Sequence, residues 1–526
     1  MLLSRRIVPA SMRASSRLSL FLRQMATAEL SGATAAGATT TSTSGKVSFQ
    51  VNGTARIISL NRPSKLNALD TDMCSEMIPR LVEFNKSKSN NLIILKSLSP
   101  RAFCAGGDVV QCAKDNLAGH SEKATDFFDK EYNLDYLLAV YGKPIVSLVN
   151  GIAMGGGVGL SVHGPFRVVC ETTRIAMPET RIGFFDDVGT SFWLPKLDGN
   201  LGFYLSLTGD DLRGFDTLLA GFGTHYVPSE RFDDLTERLS YLELENLSAE
   251  RRREIFSNPD EFYALVSEAI EEFTEDVPED HVYKFTKEQL NTIEKSFNPK
   301  THKSVEQIID DLLLDGSDFA LKTAKTLQSK SPISLKLNWE LLVKGMNSTI
   351  HEALSRELKV AGKLMTAYKP NDFNIAISAR LIEKIPDSEK IEYVINDLAS
   401  VPASLIDNLS SLDVFNPDVL EGEVAEDKVK SLEKLKISQF EECPNLIQNY
   451  QKYPYEMGLP SEKEIGKYVK GEDDSNRQFS VTTKEAIKYF QRRYKNKNGV
   501  TFKVKQVLDR KTKGSEYGKE YLDWVA

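Results

Sequence analysis

Short apolar runs alternate with longer amphipathic segments through the first half of the chain. Two apolar runs within residues 47–60 flank Asn52-Gly53, a pair that favours a β-hairpin. Residues 91–96 and 144–149 are short, apolar and bounded by turn residues, which predicts two buried strands. Strands that alternate with helical segments in this way indicate an α/β fold with mostly parallel strands.

The pattern changes in the second half of the chain. Strand signals fade after about residue 229, and residues 249–365 have helical periodicity interrupted by Asn-Pro and Asp-Gly pairs. A chain of 526 residues exceeds one ordinary core, so we expect one large domain with appendages. The predicted divisions are a leader at 1–45, an α/β core at 46–230, a helical subdomain at 231–385 and an extension with a basic end at 386–526.

The first 45 residues differ in composition from the rest of the chain. They contain five arginines and many serines, threonines and alanines, but no acidic residue before Glu29. Residues such as Leu18, Leu20 and Phe21 supply an apolar side. This composition is typical of a mitochondrial transit peptide and predicts a location in the mitochondrial matrix. A disordered tail is the alternative interpretation.

The overall composition narrows the classes of function. Hydrophobic residues make up 41% and charged residues 27%, and a net charge of −8 gives no overall attraction to nucleic acid or to an anionic membrane. No apolar run approaches the length of about 18 residues that a membrane-spanning helix needs, so no membrane insertion is expected. The five cysteines include no C-x-x-C pair and no metal-ligand spacing occurs, so neither disulfides nor a metal site is expected.

The charge is unevenly distributed, because the end of the extension is basic. Residues 484–519 contain twelve lysines and arginines against three acidic residues. Tyr489, Phe490, Tyr494 and Phe502 lie among these charges. Basic residues beside aromatic rings suit phosphate neutralisation and base stacking, so the segment is a candidate RNA-binding surface. A solvated helix face is the alternative interpretation.

Two glycine loops and two acids supply the candidate chemistry. Gly106-Gly107 ends a loop after the first of the two buried strands, and Gly155-Gly156-Gly157 follows the second. Glycine lets a ligand approach the backbone closely, and N–H groups from two such loops could meet at one oxygen as an oxyanion hole. Tight turns without a ligand are the alternative. Glu179 and Asp187 lie further along the same stretch, so carboxylates accompany the donors.

Four motifs resemble those of the crotonase (enoyl-CoA hydratase/isomerase) superfamily, and the similarity extends over about residues 47–384. They are NRPSKLNAL at 61–69, AFCAGGD at 102–108, NGIAMGGGVGLSVHG at 150–164 and AMPETRIGFFDDVG at 176–189. Within the superfamily, MGGGVGLSVHG and the acid pair are similar to the 3-hydroxyisobutyryl-CoA hydrolases. The resemblance implies a spiral of ββα turns with a helical C-terminal subdomain, and hydrolysis of an acyl-CoA thioester in valine breakdown.

The resemblance also implies roles for individual residues. The backbone amides of Gly107 and Gly156 would form the oxyanion hole. Glu179 would face the thioester as nucleophile or general base, and Asp187 would contact the acyl hydroxyl or orient water. Glu131, Gly156, Glu179 and Asp187 would then bind the substrate, with no cofactor besides the CoA that is part of it. The residues expected to contact CoA are Lys65, Leu66, Ala68, Ala105 and Asp108.

Two positions bear on the choice among related activities. A hydratase carries one of its two glutamates at the position of Gly159, so this glycine disfavours water addition across a double bond. Family members commonly have Phe-Pro-Asp where this chain has Phe185-Asp186-Asp187. The change removes a rigid turn and adds a charge beside Asp187.

The extension introduces a second possible function. Residues 453–469 are similar to the tail of fungal homologues, and fungal members also resemble a protein of the mitochondrial small ribosomal subunit. A structural protein of that subunit is therefore the alternative to the hydrolase, and the two functions are compatible. The extension would then contact ribosomal RNA and neighbouring proteins. An enoyl-CoA hydratase is a third alternative.

Overall fold

The computed structural model describes residues 45–242, 259–366, 371–386, 389–412, 431–474, 477, 479–516 and 518–525. Apart from Gly45, the predicted transit peptide lies outside these residues. The strands are β1 (Val47–Asn52), β2 (Ala55–Leu60), β3 (Leu92–Ser97), β4 (Ala102–Cys104), β5 (Ile145–Val149), β6 (Ile152–Met154), β7 (Phe166–Val169), β8 (Arg174–Ala176), β9 (Leu212–Arg213), β10 (His225–Tyr226), β11 (Thr512–Ser515) and β12 (Gly518–Trp524).

The α-helices are distributed unevenly, and most of them follow the sheet region. They are α1 (Thr71–Lys86), α2 (Val109–Leu117), α3 (Ser121–Ala139), α4 (Gly156–Val162), α5 (Thr190–Trp193), α6 (Leu201–Thr208), α7 (Phe215–Leu219), α8 (Phe232–Ser240), α9 (Pro259–Glu271), α10 (Lys287–Ser296), α11 (Val305–Asp315), α12 (Asp318–Gln328), α13 (Pro332–Gly345), α14 (Ile350–Thr366), α15 (Asp372–Ile377), α16 (Ala403–Ser410), α17 (Glu462–Lys470), α18 (Thr483–Arg493) and α19 (Val500–Lys511).

Two sheets lie at the centre of the α/β region. The larger has the strand order β1-β2-β3-β5-β7-β10, and the smaller has the order β4-β6-β8-β9. The β1–β2 hairpin and the β8–β9 pair are antiparallel, and the other pairs in these two sheets are parallel. From β3 to β8, successive strands go alternately to the larger and the smaller sheet. This alternation confirms the predicted spiral of ββα turns.

Burial explains why these segments form parallel strands. All residues of β2 and of β5 are buried, and both strands pair in parallel with β3. Parallel strands that are covered on both faces read as continuous apolar runs, which is the pattern seen in the sequence. The Asn52-Gly53 hairpin is confirmed, because Val47 pairs with Leu60 across it.

Helices α13 and α14 hold the loop that follows β8. The side-chain oxygen of Asn338 on α13 accepts a hydrogen bond of 2.7 Å from the Asp186 N–H. Glu357 on α14 accepts one of 2.6 Å from the Gly189 N–H and one of 2.5 Å from the Ser191 hydroxyl. The helical part of the chain therefore fixes the backbone that carries the second candidate acid.

The extension contributes side chains to the main apolar core. Leu432, Leu435, Ile437, Phe440 and Cys443 are buried in the same cluster as the inner faces of β3 and α3. Apolar burial of this kind is the principal source of folded-state stability. The described part of the extension is therefore integral to the fold, while the four domain ranges given above stay predictions.

Hydrogen bonds join the extension to the α/β region as well. Asn445 and Asn85 of α1 exchange three hydrogen bonds of 2.7–3.0 Å. The Ile447 N–H donates one of 2.9 Å to the Val140 carbonyl just past α3. These polar contacts fix the position of the extension against α1 and the C-terminal end of α3.

The aromatic rings near the C-terminus pack inside the extension. Tyr489 stacks on Tyr468 with 3.9 Å between ring centroids, and the Phe490 side chain is fully buried. The Tyr494 hydroxyl donates a hydrogen bond of 2.6 Å to Glu464. Phe490 is therefore closed to base stacking, whereas Tyr489 and Tyr494 are partly exposed, and the RNA interpretation of the segment stays a prediction.

Candidate active site

The two glycine loops meet backbone to backbone at the ends of β4 and β6. A Cβ atom at Gly157 would lie 2.0 Å from the Cys104 carbonyl oxygen, and one at Gly106 would lie 3.3 Å from that of Met154. Gly155 has φ +46°, a backbone conformation that disfavours residues with a side chain. Glycine is therefore required where the loops touch.

Both predicted oxyanion donors have unused N–H groups. Gly156 is the first residue of α4, where the helix offers no acceptor to the N–H. Across the residues that the structure covers, neither the Gly156 N–H nor the Gly107 N–H donates a hydrogen bond to another backbone group. These donors fit the oxyanion-hole prediction, which itself stays a prediction.

Two buried acids border the same glycines. Glu179 opens the 3₁₀ turn Glu179–Ile182 after Pro178, and its Oε1 lies 2.8 Å from the place that a Cβ at Gly155 would take. Glu131 comes from α3, and its Oε1 lies 2.2 Å from the corresponding place at Gly156. The sequence-predicted acids and the glycine loop are thus brought together from three separate segments.

A cavity of about 200 Å³ opens at this point. Its polar walls include Gly107, Gly156, Glu131, Glu179 and Asp187. The remaining lining residues include Ala105, Val109, Phe128, Ile182, Phe184, Arg181, Arg380 and Leu381. The cavity therefore combines two backbone donors, three carboxyl groups and a mainly apolar wall.

Asp187 is held by a residue that sequence reasoning did not identify. The Tyr132 hydroxyl, one position after Glu131 on α3, donates a hydrogen bond of 2.6 Å to its Oδ2. Burial raises the pKa of Asp187 to about 7, although the hydrogen bond from Tyr132 opposes the rise. Asp187 is therefore poised to exchange a proton near neutral pH.

Glu179 and Asp187 belong to a larger group of buried carboxyl groups. Burial raises the pKa of Glu179, Glu131 and Asp135 well above their usual range. Asp135 also went unrecognised in the sequence, although it lies four residues after Glu131 on α3 and so on the same helix face. Glu357 had no sequence signal, because it reaches the site from a distant helix. Burial raises its pKa to about 8.

This cluster makes folding stability depend on pH. Burial raises the pKa of Asp187 to about 7 and those of Asp186 and Glu357 to about 8, against about 4 in an unfolded chain. Above pH 6.5 the folded chain therefore keeps protons that the unfolded chain has lost, so stability falls as pH rises. His163 and His225, whose burial lowers their pKa to about 4, oppose this trend only below pH 6.5.

We expect the free energy of unfolding to fall between pH 6.5 and 8, by up to about 1.4 kcal/mol per pH unit for each carboxyl group still protonated. Urea unfolding at three pH values across this interval measures the slope. Asp186→Asn removes one of the groups and should make the slope shallower. A stability that rises across the interval would contradict the assignment of buried, protonated acids.

The segments predicted to contact CoA lie side by side. The Ala105 N–H donates a hydrogen bond of 3.0 Å to the Leu66 carbonyl, and the Ala68 carbonyl accepts one of 2.9 Å from Arg62. Lys65 is exposed, while the Asp108 carboxylate pairs with Arg62 at 2.8 Å. Of the five residues, Ala105 lines the cavity, and the contact of all five with CoA stays a prediction.

Gly159 on α4 and His163 directly after it have structural explanations. A Cβ at Gly159 would lie 2.6 Å from the Val188 Cβ and 2.9 Å from Asp135 Oδ1, so no side chain fits there. His163 Nε2 donates a hydrogen bond of 2.7 Å to the Val188 carbonyl, and burial keeps the ring neutral by lowering its pKa to about 4. Within the described ranges, no group of three His, Cys, Asp or Glu side chains could hold a metal ion.

A two-sheet spiral whose glycine loops meet beside buried acids defines a protein of the crotonase fold class. The chain belongs to the enoyl-CoA hydratase/isomerase family, whose model matches residues 55–409. A carnitinyl-CoA dehydratase from Mycobacterium thermoresistibile has the same fold, with a TM-score of 0.59 and 28% identity over 70% of this chain and 96% of that one.

Two kinds of named relative match the chain. The small ribosomal subunit protein mS47 of Neurospora crassa is 33% identical over 481 residues, which is 89% of this chain and 86% of that protein. The mitochondrial 3-hydroxyisobutyryl-CoA hydrolase of Danio rerio is 38% identical over 370 residues, 70% of this chain and 90% of the enzyme. The alignment with mS47 leaves out about 58 residues of this chain, fewer than the extension contains, so it must enter the extension.

Proposed function

We propose that the chain hydrolyses 3-hydroxyisobutyryl-CoA to 3-hydroxyisobutyrate and CoA in mitochondria, with no cofactor besides the CoA of the substrate. The observation that carries the proposal is the meeting of Glu179 and Asp187 with the unused N–H groups of Gly107 and Gly156 in one cavity. The similarity of the chain to mitochondrial 3-hydroxyisobutyryl-CoA hydrolases supports the proposed substrate and the proposed location. Because no side chain fits at Gly159, a second hydratase-type glutamate has no place on α4.

The proposed mechanism follows from what each group can do. The thioester carbonyl oxygen would accept hydrogen bonds from Gly107 and Gly156, which stabilise it as it becomes negative in the tetrahedral species. Glu179 would attack the carbonyl carbon itself or take a proton from an attacking water molecule. In the water route, the C–S bond breaks as the proton that Glu179 took passes to the sulfur, which gives the free acid and the thiol of CoA. In the nucleophilic route, breakage of the C–S bond leaves the acyl group on Glu179 as an anhydride, and the sulfur takes a proton from solvent. A water molecule then hydrolyses the anhydride to release the acid and restore Glu179.

The cavity also supports a small acyl group. Its volume of about 200 Å³ is bounded by Val109, Phe128, Ile182 and Phe184, while Asp187 provides a polar partner for a hydroxyl. A panel of 3-hydroxyacyl-CoA esters of increasing chain length tests this feature by CoA release. The four-carbon hydroxy ester should give the highest kcat/KM, and a preference for long acyl chains would contradict the proposal.

A second candidate function is association with the mitochondrial small ribosomal subunit through the extension. The similarity to mS47, which must enter the extension, favours it. Lys484, Lys488 and Arg492 lie four residues apart on α18, so they form one exposed stripe. Among the described ion pairs, none involves these three side chains. They are therefore available to neutralise phosphates.

Charge reversal of the stripe should release the chain from the subunit. A triple variant should abolish co-sedimentation with purified small subunits, because its contacts with phosphate become repulsive. The variant combines Lys484→Glu, Lys488→Glu and Arg492→Glu. The slope of log K against log salt concentration should fall in magnitude by about 2 to 3 units relative to the unchanged chain.

The matched control reverses three exposed lysines outside the extension: Lys300, between α10 and α11, and Lys322 and Lys325 on α12. The control should co-sediment like the unchanged chain, and both variants should keep the same thermal stability. Equal co-sedimentation of the stripe variant and the control would place the docking surface elsewhere.

A further inference from the structure

A surface groove of about 870 Å³ lies between the extension and the α/β region. Residues of the α/β region such as Arg167 and Lys196 line it together with residues 451–467 and the end of α18. The groove shares no lining residue with the cavity that contains Glu179 and Asp187. It is therefore a separate feature of the fold.

The groove is cationic, although the chain as a whole has a net charge of −8. Seven lysines and arginines line it against three acidic residues. Each of these acids already pairs with a cation of the same groove at 2.9–3.0 Å: Glu456 with Lys452, Glu464 with Arg493 and Asp198 with Lys503. The other four cations are Arg167, Lys196, Lys463 and Lys467, and no ion pair between described residues involves them. The groove therefore has four positive charges that its own acids do not neutralise.

Arg167 is the buried member of this set. The residue is only 6% exposed, and its guanidinium donates hydrogen bonds to the carbonyls of Phe222 and Gly164 at 2.5 and 3.1 Å. A third hydrogen bond, of 2.8 Å, goes to the Tyr453 hydroxyl of the extension. These acceptors are uncharged, whereas buried charges in proteins are normally matched by an opposite charge. An anion bound in the groove would supply the charge that Arg167 lacks.

Aromatic side chains accompany these cations. Trp193, Tyr453, Tyr455 and Tyr494 line the groove, and the three tyrosines are partly exposed. The Tyr453 ring centroid lies 5.5 Å from Arg167 Cζ. Proteins that bind single-stranded nucleic acid combine a cationic groove for the phosphates with rings on which the bases stack. An acidic peptide would match the charges but has no bases to stack on the rings, so the observations favour RNA.

We propose that this groove binds a single-stranded segment of RNA, whose phosphates contact Arg167, Lys196, Lys463 and Lys467. Lys463 and Lys467 are exposed and lie one turn apart on α17, so they present two neighbouring charges to the strand. The inference rests on the proposed association with the small ribosomal subunit for its place in the cell. Binding of RNA to the isolated chain does not require the subunit.

Fluorescence anisotropy with a short labelled oligouridine tests the proposal on the full chain. Lys463→Gln combined with Lys467→Gln should weaken binding about tenfold, whatever the sequence of the strand. The slope of log K against log salt concentration should fall in magnitude by about 1.4 units, because each phosphate contact of a single strand contributes about 0.7. The matched control combines Lys322→Gln with Lys325→Gln, two exposed positions on α12 that do not line the groove. It should bind like the unchanged chain.

Cross-linking locates the strand independently of its affinity. An oligonucleotide that contains 4-thiouridine is irradiated with the chain, and mass spectrometry identifies the residues that become attached. We expect the cross-links at Tyr453, Tyr455 or Tyr494. Lys196→Gln, at an exposed position outside the extension, should also weaken binding and repeats the test if the α17 variant does not fold.

The outcomes separate this inference from the proposed functions. Unchanged affinity in both groove variants, or cross-links confined to the stripe on α18, would overturn it. Displacement of the oligouridine by polyglutamate or by adenosine monophosphate at matched charge would also overturn it, because the groove would then bind an acidic protein segment or a single nucleotide. RNA binding without co-sedimentation would support the groove and refute the subunit association. Co-sedimentation of a chain that binds no oligonucleotide would refute the groove alone.

Discussion

We expect Glu179→Gln to abolish CoA release from 3-hydroxyisobutyryl-CoA while CoA-ester binding changes little. The amide keeps the shape of the side chain beside Gly155, but it cannot act as nucleophile or general base. Loss of a general base costs about 10²- to 10⁴-fold in rate. Single-turnover CoA release measures the chemical step, and calorimetry with the substrate and the inactive variant measures binding.

The matched control for this substitution is Glu76→Gln, at an exposed acid on α1. It makes the same chemical change away from the cavity and should leave both quantities unaltered. If Glu179→Gln lost binding and turnover equally, Glu179 would be holding the structure of the cavity, and its assignment to the chemical step would fail.

Deletion of residues 431–526 should prevent the chain from folding. Leu432, Leu435, Ile437, Phe440 and Cys443 are buried in the main core. Burial of a large apolar side chain contributes about 1.5–3 kcal/mol, whereas a whole domain is stable by only about 5–15 kcal/mol. Thermal unfolding followed by circular dichroism, together with the soluble yield, measures the effect.

Point variants within the same segment refine this test. Ile437→Ala should lower the free energy of unfolding by about 2–5 kcal/mol, because it leaves a cavity in the core. Lys434→Ala changes an exposed side chain three residues away and should have almost no effect. A truncated chain with an unaltered melting temperature would show that the extension is separable. Until then, deletion is unsuitable for testing ribosome association, and charge reversal on α18 is the appropriate experiment.

The sequence pattern predicted the strands well, because parallel strands buried on both faces are continuous apolar runs. The segments at 91–96 and 144–149 correspond to β3 and β5 with shifts of a residue or so at their ends. The division of strands between two sheets did not follow from pattern, since it depends on pairings such as Val146 with Phe166 and Ala153 with Ile175. The resemblance to a known superfamily supplied that topology.

The candidate site was predictable only where its residues lie close together in sequence. The glycine loops, Glu179 and Asp187 belong to one stretch and stood out. Glu357 and Asn338 contact the loop after β8 from helices more than 150 residues further along the chain. Only tertiary packing brings these residues to the loop, so the sequence pattern does not reveal them. Asp135 could have been found, because it shares a helix face with Glu131.

The basic end of the extension illustrates a limit of charge counting. Arg510 and Lys511 pair with Glu294 on α10, and Lys497 pairs with Glu271 at 2.5 Å. These cations attach the extension to the rest of the chain, so they are not free for phosphates. Composition gives only the total charge of the segment. The three-dimensional structure is needed to tell the cations that pair with acidic residues from the exposed, unpaired stripe on α18.

The central claim is that the chain is a thioester hydrolase. The most direct test measures thioester hydrolysis and double-bond hydration on the same purified chain. Release of free CoA from 3-hydroxyisobutyryl-CoA and loss of the double bond in crotonyl-CoA are followed in parallel, with Glu179→Gln as the blank. The account predicts CoA release far above the blank and no hydration, because α4 has no room for a second glutamate at Gly159. Hydration without CoA release, or neither reaction above the blank, would contradict it.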